Sequence, residues 1–243
     1  MEQFTFGNGF EEAPAIVNVS EPHMALLFLL DTSGSMGQTM RDEETGEMVV
    51  PIDELNKALN RFKEEVCQDE KTRDILDVAI VEFNQRHKVI QEFTPIEQMK
   101  IVELKATGQT YMKDALAVSI QMVDDRARFY RRVGTEPYKP WIVLISDGWP
   151  MDDPEEMEGP LNQLRDMTEK GKLALWSLCV PGANEEALKK FSGARTFRLK
   201  GYDFKGFLDW THKSMRAVSA SAPGEKPQAQ AIPDTMDLLQ ELM

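Results

Sequence analysis

The chain has 243 residues, of which 41 are Asp or Glu and 28 are Lys or Arg, so its formal net charge is −13. Because phosphate binding needs clustered Lys and Arg, this charge argues against a nucleic-acid groove as the main surface. The hydrophobic content of 42% is enough for a real core, but the longest apolar run, Met24–Leu30, is far too short to cross a bilayer. We therefore expect a partner that is neither nucleic acid nor membrane.

Two further features bear on the cellular compartment. The first residues contain neither the basic stretch nor the apolar stretch that a signal peptide carries. The two cysteines, Cys67 and Cys179, lie in a helical and a strand pattern, and two isolated thiols do not form a disulfide framework. The sequence thus predicts a reducing, cytoplasmic location.

Strand-like and helix-like segments alternate along the chain from residue 24. Met24–Asp31 is a short, continuous apolar run, which is typical of a strand buried on both faces. The other predicted strands are 75–83, 87–93, 139–146, 173–180 and 194–199, and the predicted helices are 52–68, 111–130, 154–171, 184–191 and 203–217. This alternation predicts an α/β fold with a mostly parallel sheet, one antiparallel edge strand and helices on both faces.

The segments outside this alternating region differ in composition. Residues 1–22 mix aromatic and polar side chains and predict an extended arm, whereas residues 221–233 are small, polar and Pro-rich, as in a linker. Residues 234–243 have the spacing of an amphipathic helix that is too short to be stable unless it docks. The predicted domain spans residues 23–220 and carries an acidic, hairpin-like insertion at 41–50.

Three loops place oxygen-bearing side chains at predicted strand ends. Asp31, Ser33 and Ser35 follow the first strand at alternate positions, so they point the same way in an extended loop. Thr110 precedes a helix, and Asp147 follows a central strand. Ligands of open parallel sheets bind at the carboxyl ends of the strands, and these oxygens suit a hard divalent cation. The sequence predicts a site for Mg²⁺, or for Mn²⁺ in its place.

Each of these residues also has a simpler interpretation. Ser33 and Ser35 could cap a helix, Thr110 could be the N-cap of the helix that follows it, and Asp147 could belong to a plain turn. Their joint occurrence at three strand ends favours the metal site.

The five residues, in this order, resemble the metal-ion-dependent adhesion site of von Willebrand factor A domains, and the resemblance covers roughly residues 22–220. The segments DTSGSM, SDGWPMDD and GFLDWTHKSMRAVSAS are also similar to bacterial TerY-type proteins of tellurite-resistance and related stress operons. The resemblance implies a Rossmann-like fold that binds Mg²⁺ and captures an acidic side chain of a partner protein. Because similar proteins are encoded beside a Ser/Thr protein kinase and a PP2C-type phosphatase, it also implies a scaffold role in signalling.

A rim around the metal loops is predicted to contact the partner, and it comprises Trp149, Met36, Gln109, Asp42, Glu43 and Glu44. Aromatic and methionine side chains suit such contacts, although covering the sheet end and filling the core are their alternative roles. The family commonly has Gly-Gly-Thr at Gly108–Thr110, so we expect Gln109 to shift that loop. The acidic residues either form a solvated surface or select a basic surface around the bound carboxylate.

Two alternatives to a non-enzymatic interaction module stay open. One is an adaptor for an AAA+ ATPase of the MoxR or chelatase kind, with the arm and the tail as docking elements. The other is a metal-dependent phosphoryl-transfer enzyme. Ser33 stands where an aspartyl-phosphate enzyme needs an acid, and none of His23, His87 and His212 is placed as a base for the serines. We therefore predict that the protein is not an enzyme.

Overall fold

The computed structural model describes residues 21–148, 150–192, 195–221 and 230–239. The strands in these ranges are β1 (Met24–Asp31), β2 (Met40–Arg41), β3 (Met48–Val49), β4 (Leu76–Phe83), β5 (His87–Pro95), β6 (Trp141–Ser146), β7 (Ala174–Cys179), β8 (Thr196–Leu199) and β9 (Met236–Leu239). The α-helices are α1 (Pro51–Cys67), α2 (Glu70–Ile75), α3 (Lys113–Arg132), α4 (Pro154–Glu169), α5 (Glu185–Ser192) and α6 (Phe204–Ser219). None of the helices in these ranges has the length and apolar character needed to cross a membrane.

Seven strands form the central sheet, in the order β5-β4-β1-β6-β7-β8-β9. The five inner strands run parallel, whereas β5 and β9 pair antiparallel with β4 and β8 at the two edges. The sheet confirms the predicted α/β class. The chain first builds outward from β1 to β4 and then continues on the other side with β6, so the strand order switches at β1. The carboxyl ends of β1 and β6 therefore flank the crevice in which such sheets bind ligands.

Helices cover both faces of the sheet, and β1 supplies side chains to both apolar layers. Leu26, Phe28 and Leu30 pack in the layer that contains α1 and α6, while Leu27 and Leu29 pack in the layer that contains α3 and α4. All eight residues of β1 are buried. A strand covered on both faces needs apolar side chains at successive positions, which explains the uninterrupted apolar run in the sequence.

The tail differs from the prediction where the structure describes it. Met236–Leu239 forms strand β9 rather than part of a helix. Four residues cannot sustain a helix, whereas the open edge of β8 offers them a ladder of backbone hydrogen bonds. The spacing of Met236 and Leu239 was compatible with a helix, but in the strand these two side chains enter opposite apolar layers. Residues 240–243, most of the linker and most of the N-terminal arm lie outside the described residues.

The acidic insertion is a hairpin in which β2 pairs antiparallel with β3. Asp42 organises its turn, because one carboxylate oxygen accepts from the N–H groups of Glu44 at 2.8 Å and Thr45 at 3.1 Å. The other oxygen accepts from the N–H of Tyr202 at 3.1 Å, which fastens the hairpin to the loop after β8. Asp42 is only 6% exposed, so its predicted place on the partner rim is wrong. Burial raises the pKa of Asp42, but the hydrogen bonds from these N–H groups lower it by more, so the pKa lies below its ordinary value.

Replacing Asp42 by alanine should lower the free energy of unfolding by about 1–3 kcal/mol, since three backbone N–H groups lose their acceptor. Urea denaturation measures the change. Glu43→Ala is the matched control, because Glu43 is an exposed acid of the same turn and its loss should change stability by less than about 0.5 kcal/mol. Equal effects of the two variants would contradict the anchoring role of Asp42.

Candidate metal centre

Backbone hydrogen bonds hold two of the predicted metal loops against each other. The N–H of Gly34 donates to the carbonyl of Gly108 at 2.9 Å, and the N–H of Thr107 donates to the carbonyl of Thr32 at 2.8 Å. A Cβ atom on Gly34 would lie 3.2 Å from the Gly108 oxygen. Glycine therefore permits the close approach of the loop after β1 to the loop that precedes α3.

Four of the five predicted ligands form a chain of polar contacts. One oxygen of Asp31 accepts from the N–H of Ser33 at 2.8 Å, and the hydroxyl oxygens of Ser33 and Ser35 are 3.0 Å apart. The Ser35 hydroxyl then donates to Asp147 on the neighbouring loop. Thr110 is buried in the adjoining loop, where its carbonyl accepts from the N–H of Met151 at 2.8 Å. The structure thus brings all three predicted loops to one edge of the sheet.

The capping interpretations of these residues find no support in the contacts. Ser33 precedes the 3₁₀ turn Gly34–Gly37 without a side-chain capping bond. Helix α3 begins at Lys113, so Thr110 is not its N-cap. The carboxylate of Asp152 instead accepts from the N–H groups of Met112 at 2.6 Å and Lys113 at 3.2 Å. The hydroxyls of Ser33 and Thr110 therefore do not cap these helices.

The sequence interpretation missed two residues that support the site. Ser146 donates from its hydroxyl to Asp31 at 2.7 Å and accepts from the N–H of Gly148 at 2.9 Å, so it positions the buried carboxylate and the next loop together. Asp152 joins the loop after β6 to the start of α3. A serine that ends the apolar strand beside Asp147 was a usable signal, whereas Asp152 looked like any other acid of an acidic loop.

Asp31 is a buried carboxylate that faces a second one. It is fully buried, and burial together with the charge of Asp147 raises its pKa to about 6, although hydrogen bonds from Ser33 and Ser146 act in the opposite direction. No Lys, Arg or His in the described ranges forms an ion pair with Asp31. Asp77 on the adjacent strand is equally buried, but Arg126 contacts it at 2.6 Å. Among the described residues, the fold therefore supplies a cation for Asp77 and none for Asp31.

The donors at this edge fit a hard divalent cation. They comprise two carboxylates, Asp31 and Asp147, and the hydroxyls of Ser33 and Ser35, and the hydroxyl of Thr110 is the predicted fifth donor. Within the described part of the chain, no three His, Cys, Asp or Glu side chains gather as a metal cage. The set thus lacks the imidazole and thiolate donors that Zn²⁺ prefers, whereas Mg²⁺ and Mn²⁺ favour carboxylate and hydroxyl oxygens.

The predicted rim divides into exposed and buried residues. Gln109, Glu43 and Glu44 are exposed, as contact with a partner requires. Met36 is only 1% exposed and belongs to the apolar layer with α1, so its predicted place on the rim is wrong. The turn Gly34–Gly37 directs this side chain into the core, which a linear pattern does not show. Trp149 lies outside the described residues.

None of the three histidines contacts the serines of this edge. His23 lies at the amino end of β1, 3.7 Å from Asp77. His212 lies 3.1 Å from Asp69, in the layer of α6 and α1, and His87 begins the edge strand β5. The structure therefore offers no imidazole base next to Ser33 or Ser35.

Comparisons with known proteins agree with this architecture. The vWF domain of the type V pili tip protein Mfa5 from Porphyromonas gingivalis matches with a TM-score of 0.62 at 9% identity, over 86% of this chain and 99% of that one. Proximal thread matrix protein 1 of the mussel byssus matches with a TM-score of 0.52 at 12% identity, over 81% of this chain and 48% of that one. An aerotolerance-related membrane protein from Bacteroides fragilis matches with a TM-score of 0.51 at 11% identity, over 79% and 98% of the two chains.

At these identities the structural likeness establishes the fold alone. No curated protein matches the chain by sequence. The family model described as the von Willebrand factor type A domain matches residues 26–149, which is just over half of the chain and ends two residues after Asp147. The chain therefore belongs to the von Willebrand factor type A domain family.

Proposed function

We propose that the chain is a non-enzymatic protein-interaction module that binds Mg²⁺, or Mn²⁺, through Asp31, Ser33, Ser35, Thr110 and Asp147, and that captures an acidic side chain of a partner protein. The observation that carries this proposal is the burial of the Asp31 carboxylate next to that of Asp147. A buried carboxylate that faces another carboxylate, with no described cation beside it, is costly in a folded protein. A divalent cation between the two acids removes that cost.

The polar contacts support roles for Ser33, Ser35 and Ser146 in this proposed function. Ser33, through its N–H, and Ser146, through its hydroxyl, fix the two oxygens of Asp31 before any cation arrives. Ser33 and Ser35 add neutral oxygens, so the protein supplies only two negative charges. A bound Mg²⁺ supplies the positive charge that attracts a carboxylate, and five protein groups leave room for one outside ligand.

The sequence motifs support a narrower role for this module. The TerY-like segments favour a scaffold in a bacterial stress-response system, acting in the cytoplasm with a Ser/Thr protein kinase and a PP2C-type phosphatase as partners. An AAA+ ATPase of the MoxR or chelatase kind is the alternative partner. The exposed acids Glu43 and Glu44 of the hairpin favour a partner whose metal-binding carboxylate lies in a basic surface. The genes that neighbour this one distinguish the two kinds of partner.

Calorimetry and water relaxation test the two parts of the proposal separately. Mg²⁺ and Mn²⁺ titrated into EDTA-treated protein should bind at about one site per chain. Water bound to the Mn²⁺ enhances proton relaxation, and acetate should reduce this enhancement by replacing that water, whereas neutral acetamide should not. Absence of cation binding by the folded chain would refute the metal site. An enhancement that acetate leaves unchanged would refute carboxylate capture but not the metal site.

A further inference from the structure

Strand β9 occupies a groove that the edge of β8 forms with the start of α6. Its backbone pairs in register from Thr196 opposite Leu239 to Leu199 opposite Met236. The ladder continues beyond the strand, because the N–H of Lys200 donates to the carbonyl of Thr235 at 2.8 Å. The body of the protein thus presents an extended row of backbone partners to a short peptide segment.

Side chains of the tail fill specific places in this groove. Met236 is 3% exposed and packs in the layer of α6, while Leu239 is 9% exposed and packs in the opposite layer. Between them, Asp237 lies 3.0 Å from the ammonium group of Lys200, which also donates to the carbonyl of Asp234 at 3.0 Å. Leu238 packs, partly buried, against the same layer as Met236, so the groove accommodates an apolar residue, an aspartate and two further apolar residues, in that order.

The first turn of α6 closes the groove on one side. A Cβ atom on Gly206 would collide with the carboxylate of Asp203 and would also lie 2.8 Å from the hydroxyl oxygen of Thr235 in the tail. The absence of a side chain at this position lets the tail approach the helix start.

The tail returns to this groove from the far end of the sheet. Helix α6 ends at Ser219, whose carbonyl accepts a hydrogen bond from the hydroxyl of Tyr138. Tyr138 also donates its N–H to the carbonyl of His23, so this end of α6 lies close to the amino end of β1. The 16 residues of α6 correspond to about 24 Å of helix, so Ser219 and Met236 lie near opposite ends of α6. A tether shorter than this height cannot join them within one copy.

We propose that the groove of β8 and α6 is an exchangeable strand-binding site, and that the tail of a second copy of this chain occupies it when the chain's own tail cannot. An empty β8 edge exposes unpaired N–H and C=O groups, which accept any strand with the matching pattern. Tethering favours the chain's own tail through an effective concentration in the millimolar range. Shortening the tether removes this advantage and leaves the contacts of the groove intact.

The first test uses a fluorescent peptide of residues 230–243 and a chain that ends at Ser221. The peptide should bind with saturation to the shortened chain but not to the full chain, whose groove is filled. Lys200→Glu in the shortened chain should weaken binding at least tenfold, and Lys213→Glu, an exposed lysine of α6, should leave it unchanged. Failure of the folded, shortened chain to bind the peptide, or equal binding by both chains, would overturn the proposal.

The second test keeps the tail and therefore does not depend on the folding of a tail-less chain. Deleting residues 222–233 leaves four residues between Ser219 and Met236, and their five Cα–Cα steps span at most about 18 Å, which is well short of the height of α6. Light scattering should show that this variant is a dimer, whereas a variant with a Gly/Ser linker of unchanged length should have the same mass as the wild type. A deletion variant that is a folded monomer, or that does not fold, would overturn exchange between copies.

Discussion

Asp31→Asn should abolish Mg²⁺ binding and at the same time stabilise the metal-free chain. The substitution keeps the shape of the side chain and removes a negative charge that is fully buried and faces Asp147. Because the fold raises the pKa of Asp31 from 3.8 to about 6, ionised Asp31 lowers stability at neutral pH. The rise of this pKa from 3.8 to about 6 sets an upper limit of about 3 kcal/mol for the gain in stability when the charge is removed.

Thermal unfolding with and without Mg²⁺ measures both effects. In the wild type, Mg²⁺ at 100 times its dissociation constant should raise the free energy of unfolding by about 2.7 kcal/mol. In Asp31→Asn, Mg²⁺ should leave the free energy of unfolding unchanged. Asp114→Asn is the matched control, because Asp114 is an exposed acid at the start of α3. It should retain the response to Mg²⁺. A folded Asp31→Asn protein that Mg²⁺ still stabilises would refute the metal site.

The positions of the metal loops were predictable because they depend on local order along the chain. Asp31 ends a strand that is buried on both faces, and Asp147 directly follows another. In a parallel sheet such ends share one edge, so the proximity of Asp31 and Asp147 could be predicted from the sequence alone. The partners that complete the site were harder to foresee, since the capping bond that the N–H of Met112 donates to Asp152 joins loops that are 40 residues apart.

Predictions failed where burial depends on distant parts of the chain. Asp42 resembled its exposed neighbours, but Tyr202, 160 residues away, makes it an anchor. Met36 lies in a polar loop and still enters the core. The tail has spacing that fits a helix, and only the open edge of β8 makes it a strand. Each error concerns a tertiary contact that outweighs the local pattern.

Asp77→Asn should destabilise the chain by about 3–5 kcal/mol, which is a large part of the stability of a typical domain. Asp77 is the second residue of β4, where it is buried with Arg126 at 2.6 Å and accepts from the hydroxyl of Tyr130. Removing its charge leaves the guanidinium group of Arg126 buried without a counter-ion. Asp124→Asn, which breaks a solvent-accessible pair with Arg128, is the control and should cost less than about 1 kcal/mol.

The loss of stability in Asp77→Asn should depend on pH. Burial raises the pKa of Asp77, but the neighbouring His23 and the charge of Arg126 outweigh burial, so the pKa lies below its ordinary value of 3.8. An acid whose pKa is lower in the folded state than in the unfolded state adds stability. This stability is fully present above the pKa of the unfolded state and is lost as the pH falls through the pKa of the folded state. The deficit of Asp77→Asn, measured by urea denaturation from pH 7 to pH 3, should therefore shrink below about pH 4. A deficit as small as that of Asp124→Asn would contradict the proposed role of Arg126.

The two buried aspartates should respond in opposite ways. Asp31 and Asp77 lie at opposite ends of the neighbouring parallel strands β1 and β4. Asp77 has its cation within the fold, so its loss should reduce stability and leave Mg²⁺ binding unchanged in protein that remains folded. The proposed cation of Asp31 comes from solution, so the loss of Asp31 should raise metal-free stability and abolish Mg²⁺ binding. A pair of variants that lost stability equally, with Mg²⁺ binding unaffected in both, would show that Asp31 is only a structural residue.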